Sequence, residues 1–162
     1  PYGRRMLIRL LKPLLALLLV TLAATAPAQQ ASLPYWASLS ADEVNLRVGP
    51  SETYPVEWVY ARRGLPLRVV RVNQGWRLVE DPDGVTGWMA AALLSRDRGA
   101  IVVGSDPAAM RAGPSASAPL RWHVAPGVSG RLGDCASGWC EFEVRGHRAY
   151  VEQVRLWGAG EP

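Results

Sequence analysis

Laid against itself at an offset near 63, this chain of 162 residues repeats. Asn45-Leu46-Arg47-Val48-Gly49-Pro50-Ser51 answers to Ala109-Met110-Arg111-Ala112-Gly113-Pro114-Ser115, and Pro55, Val56 and Trp58 answer to Pro119, Leu120 and Trp122. Farther on, Gly64 matches Gly127, Gly75-Trp76 matches Gly138-Trp139, and Gly87-Trp88-Met89 with Leu94 matches Ala149-Tyr150-Val151 with Leu156. The gaps between matches are single residues, placed where turns are expected. Internal periodicity of this kind outranks any propensity argument, because each copy must be one small structural unit.

Each copy is poor in helix signals and rich in short apolar runs bounded by Gly, Pro and Asp, which predicts an all-β unit. Leu67 to Val72 and Trp76 to Glu80 read as strands joined at Asn73-Gln74-Gly75, and Asp81-Pro82-Asp83-Gly84 turns the chain into Thr86 to Met89. Arg131 to Cys135 and Trp139 to Val144 form the matching hairpin. Four or five strands in so short a unit close into a barrel, since an open sheet of that size buries too little and exposes its edges. The expected organisation is a leader over 1–28, a short linker over 29–36, and barrels over 37–97 and 98–162. The charged connection near Ser95 to Gly99 is short, so the two barrels are expected to lie side by side.

The leader has a basic start (Arg4, Arg5, Arg9, Lys12), an apolar stretch from Leu14 to about Ala26, and small residues at Ala26-Pro27-Ala28. That is the pattern of a secretory signal, and Met6 offers a start that leaves the pattern whole. The stretch is shorter than the roughly 20 residues of a membrane span, so no stable span is expected after cleavage. Location in the periplasm or outside the cell follows. Without the leader, 14 Arg face 14 Asp plus Glu, which removes any bulk attraction to nucleic acid.

At this level of detail the sequence resembles the bacterial SH3 domain, often called SH3b. The resemblance rests on N-L-R-x-G-P-S at 45 to 51, Gly64, G-W at 75 and 76, and G-W-M at 87 to 89 followed by Leu93-Leu94. A second copy keeps M-R-A-G-P-S at 110 to 115, G-W-C at 138 to 140 and A-Y-V at 149 to 151. The resemblance implies two tandem SH3-like β-barrels used for attachment, commonly to peptidoglycan or to another protein of the envelope. It implies no chemistry of its own and no cofactor.

Cys135 and Cys140, the only cysteines, flank the second hairpin, and in an exported chain a disulfide between them is expected. So short a loop contributes about 2 kcal/mol in the chain-entropy model. With His123 and His147 the same cysteines supply the residue types of a thiol hydrolase or a zinc site, but their spacing matches no known finger, and neither a catalytic nor a metal site is assigned. The carboxylate pairs Asp42-Glu43, Asp81/Asp83 and Glu141/Glu143 read as turn formers and solvated faces. Arg47 and Arg111, repeated before Gly-Pro-Ser, are expected to pack their stems and pair with a local acid.

Seven tryptophans lie after the leader, and roughly half or more should fill cores. Trp88 and Tyr150 are expected in the cores. Alternation turns Trp139 toward the wetter face of its strand, and Trp76 follows by repeat equivalence. The segment from Gly49 to Gly64 takes the place of the variable first loop of SH3-like barrels. Tyr54, Trp58, Tyr60, Trp76 and Trp139 are therefore the candidate ligand-binding residues.

Overall fold

The computed structural model describes residues 32–162, and the leader read over 1–28 lies outside them. Seven strands form the first sheet: β1 (Tyr35–Leu39), β2 (Val44–Arg47), β3 (Val56–Tyr60), β4 (Pro66–Asn73), β5 (Trp76–Glu80), β6 (Thr86–Ala90) and β7 (Leu94–Ser95). Seven more form the second: β8 (Gly99–Val102), β9 (Ala108–Arg111), β10 (Leu120–Val124), β11 (Ser129–Ala136), β12 (Trp139–Val144), β13 (His147–Glu152) and β14 (Leu156–Trp157). The sheet orders are β3-β2-β6-β5-β4-β1-β7 and β10-β9-β13-β12-β11-β8-β14, so each strand of the second copy sits where its counterpart sits in the first. Every adjacent pair is antiparallel, and the architecture is all-β, as the sequence predicts. Each copy holds more strands than the four or five expected because β1 and the two-residue β7 complete the sheet around the central meander.

Strand alternation fills two cores. Val44 and Leu46 of β2, Leu67 and Val69 of β4, Val79 of β5 and Met89 of β6 point into the first. Ala108 and Met110, Leu132, Cys140 and Phe142, and Ala149 and Val151 fill the second. The β11–β12 and β12–β13 hairpins close through Ser137-Gly138 and Arg145-Gly146, each pair with both residues at positive φ, which is the turn whose twist matches two antiparallel strands. Cys135 and Cys140 are directly opposed across the β11–β12 ladder and form the expected disulfide.

Three expectations change. Strand β1 starts at Tyr35, inside the segment read as a linker, because Tyr35 and Trp36 are half-buried against the protein. Tyr150 lies on the strand face opposite Val151, half-buried outside the core beside Arg111 and Glu141, whereas its counterpart Trp88 is buried as expected, next to Arg47 of β2 and Leu78 of β5. The inward places are taken by Gly87 and Ala149 with the residues two further on. Finally, part of the segment read as a variable loop is strand: Val56–Tyr60 pairs with β2 as a hairpin arm.

The two barrels share apolar contact. β8 is buried along its whole length because Ala100 and Val102 face the second core while Ile101 joins the first. Trp36 meets Trp157 edge to face with ring centroids 4.8 Å apart, and its Nε1–H donates to the Gly160 carbonyl at 3.0 Å.

Candidate functional site

The Arg-x-Gly-Pro-Ser run builds the same loop twice. The Arg47 guanidinium donates to the Tyr54 carbonyl at 2.7 Å, and Arg111 donates to the Ala118 carbonyl at 2.9 Å. Each arginine thus latches the far end of its own loop through a backbone carbonyl, where a local acid was expected. Ser51 and Ser115 each accept the amide of the residue two positions on. Gly49 lets the Tyr54 ring lie against the backbone, since a Cβ there would sit 2.6 Å from the ring carbons. Tyr54 therefore shapes the loop while leaving nearly half of its surface exposed.

This latched loop delivers the chain to β3, the outermost strand of its sheet. Trp58 opposes the core residue Leu46 in register, yet is 62% exposed. A groove of about 350 Å³ runs beside it, lined by Trp58, Tyr60 and Arg62 and by Asp81, Pro82 and Asp83 of the β5–β6 turn. Asp81 is buried and holds the turn: its Oδ1 accepts the amides of Asp83 and Val85, and its Oδ2 accepts the Tyr60 hydroxyl at 2.7 Å. Burial first, then this hydrogen bond and the charges of Asp81, Asp83 and Glu57, hold the Tyr60 phenol well above its ordinary pKa. The groove thus offers an aromatic wall, an exposed carboxylate at Asp83 and a guanidinium at Arg62. That set suits stacking on a sugar or peptide face with hydrogen bonds at the rim.

Trp58 and Tyr60 come together here, and Tyr54 belongs to the same hairpin. Trp76 and Trp139 stand apart from them, half-buried at the starts of β5 and β12. Trp139 does share the wetter face of β12 with Glu141 and Glu143. It lines a separate hollow of about 160 Å³ with Pro107, Arg111 and Arg155. The sequence reading passed over Trp122, the partner of Trp58 in the repeat. Trp122 lies on β10, the outermost strand of the second sheet, is 39% exposed, and packs against His147 with ring centroids 4.8 Å apart. The repeat alignment already contained that signal.

The remaining candidate chemistry is accounted for by structure. Both cysteines are joined. Glu143 pairs with Arg131 at 2.7 Å and with Arg148 at 3.0 Å, and those hydrogen bonds lower its pKa. Glu141 accepts the Tyr150 hydroxyl at 3.1 Å. Among the described residues no group of three or more His, Cys, Asp or Glu is placed to hold a metal ion.

No curated protein matches the chain. Among solved structures, NlpC2 from Trichomonas vaginalis is similar at 13% identity and a TM-score of 0.36, covering 79% of this chain and 49% of its own. NlpC1 from the same organism matches at 14% identity and 0.34, covering 84% and 50%, and an NlpC/P60 family protein from Bacillus cereus ATCC 10987 matches at 14% and 0.33, covering 75% and 55%. The chain spans about half the length of each. The model of the family described as bacterial SH3 domain matches twice, over residues 40–96 and 104–158. The two matches fall one on each seven-stranded sheet and together take in more than half of the residues, so the chain belongs to the bacterial SH3 domain family and carries two tandem copies.

Proposed function

We propose that this chain is an exported, non-enzymatic binding protein that attaches to peptidoglycan through the outermost strands of its two barrels. The observation that carries the reading is the repeated exposure of Trp58 and Trp122 at equivalent places on β3 and β10. A tryptophan at the same exposed place on each of two docked modules offers a pair of stacking faces, and two such sites raise avidity for a repetitive polymer. Family membership supports a binding role, and the leader and the disulfide support export.

Cosedimentation of residues 31–162, which form one compact unit, with purified sacculi tests the reading. The unit is expected to pellet with the wall, and the Trp58→Ala/Trp122→Ala variant to stay in solution while keeping its β-sheet circular dichroism. A Trp76→Ala/Trp139→Ala variant that loses binding instead would move the site to the Gly-Trp turns. Absence of wall binding by the unaltered unit would sink the proposal. It would favour a second reading in which an envelope protein adds a strand along the open edge of β3, whose outer backbone groups have no strand partner in the sheet.

A further inference from the structure

Trp58 and Trp122 occupy equivalent places, but the charges around them have opposite sign. Beside Trp58 on β3 stands Glu57, and beside Trp122 on β10 stands Arg121. Val59 becomes His123. Across the first groove the β5–β6 turn presents Asp83, followed by Val85; the shorter β12–β13 turn presents Arg145, followed by His147, whose ring centroid lies 4.8 Å from that of Trp122. Glu57, Asp83, Arg121, His123, Arg145 and His147 are all exposed. Among the described residues Glu57, Asp83, Arg121 and Arg145 form no ion pair, so their charges are open to a ligand. Arg62, on the wall of the first groove, donates to the Gly127 carbonyl, and the second copy has Pro126-Gly127 where that loop carries its arginines.

Each change from the first copy to the second removes negative charge or adds a basic group, and together they invert the field in which a ligand would stack on the indole. We propose that the barrels divide the peptide part of the wall between them: the Trp58 site takes a free amine and the Trp122 site takes a carboxylate. Glu57 and Asp83 are then the specificity-determining residues of the first site, and Arg121 and Arg145 those of the second. This inference rests on the reading of both tryptophans as contact sites. An ammonium group over an indole is attracted by the ring itself as well as by the carboxylates beside it. A guanidinium offers a planar pair of donors that matches a carboxylate. Each exposed ionic contact contributes modestly, so discrimination comes from two like charges acting together and from their repulsion of the wrong group. A peptide strand that carries both groups would be held in one direction across the two barrels.

Titration of the 31–162 unit with short peptides, read at the indole N–H signals of Trp58 and Trp122, tests the assignment. The probes are N-acetyl-alanyl-lysine amide, N-acetyl-alanyl-glutamate α-amide and the uncharged N-acetyl-alanyl-glutamine amide. At Trp58 the lysine peptide is expected to bind about fivefold more tightly than the glutamine peptide, and at Trp122 the glutamate peptide to show the same advantage. Both preferences should shrink as salt is raised. Glu57→Lys/Asp83→Lys should pass the preference at Trp58 to the glutamate peptide, and Arg121→Glu/Arg145→Glu should pass that at Trp122 to the lysine peptide. All four positions are exposed, and if either variant misfolds the comparison of the two indoles in the unaltered unit still decides. The same preference at both tryptophans, equal binding of all three peptides, or no saturable shift by any of them would overturn the proposal. Cosedimentation keeps this result apart from the wall reading. A unit that pellets with sacculi but shows no charge preference retains that reading and loses this inference, whereas opposite preferences in a unit that does not pellet do the reverse.

Discussion

Gly87 and Leu46 pack so closely that a Cβ on the glycine would lie 2.5 Å from the Leu46 Cγ. The second copy has Ala149 at the equivalent place and the unbranched Met110 in place of the leucine, so the two positions changed together. Gly87→Ala is expected to cost about 2 kcal/mol by overpacking, and Gly87→Ala/Leu46→Met to recover part of it, as urea denaturation would show. The Tyr60–Asp81 pair is a polar insert of the same kind, since the second copy has Val124 and Val144 there. The Tyr60 phenol is raised in the folded state, so its contribution is fully present below the ordinary phenol value near pH 10 and is lost as pH climbs toward the folded value. Tyr150, raised chiefly by its hydrogen bond to Glu141, pulls in the same direction. Stability should therefore fall above about pH 10, and Tyr60→Phe should flatten that fall. A slope unchanged by Tyr60→Phe would show that the phenol is not held by Asp81. The turn at Asp81 was legible from Asp-Pro-Asp-Gly. The bond from Tyr60 was not, because it joins residues 21 apart that only the fold brings together.

At the level of strands, legibility followed alternation. β4 and β12 read correctly from sequence because apolar residues alternate with polar ones along them and bury Leu67, Val69, Cys140 and Phe142, while β5 and β11 bury one side chain each, Val79 and Leu132, and read from the turns that bound them. β3 carries exposed side chains on both faces, and without a buried face its Val-Glu-Trp-Val-Tyr reads no differently from a loop. The same lack of burial makes β3 the candidate contact strand, so the element hardest to recognise is the one tied to function. Arg68–Glu80 and Arg131–Glu143 form the same cross-strand bridge in both copies, at 2.7 Å in each. Both pairs are partly solvated, and each contributes modestly. The disulfide contributes more. Cys135→Ala/Cys140→Ala is expected to lower stability by about 2 kcal/mol in denaturant titration while leaving wall binding intact, because the cystine lies on a hairpin far along the sheet order from β10. Loss of wall binding in a folded variant would instead place the contact surface on that hairpin.

For the whole molecule, adjacency of the copies followed from the short connection, but the sharing of a core did not. β8 reads as an ordinary strand of the second copy, and nothing in Gly-Ala-Ile-Val says that its third residue belongs to the other barrel. Ile101 lies in the cluster built from Leu39, Leu65 and Leu67, and Trp157 packs on the same cluster. Arg62 adds a hydrogen bond to the Gly127 carbonyl at 2.9 Å. Barrels this small are marginal alone, and a buried side chain supplied by the neighbour stabilises the one that receives it. Ile101→Ala should cost about 3 kcal/mol, the usual penalty for emptying a buried aliphatic site. That loss should fall on the first barrel although the residue belongs to the second. Hydrogen exchange would read this directly, through faster exchange at the amides of Leu67 and Val69, with those of Phe142 and Val151 changed less. Equal acceleration in both cores would mean that the barrels unfold only together. Acceleration confined to the second would mean that Ile101 contributes nothing to its neighbour, and that the docking of the two copies is weaker than their shared residues imply.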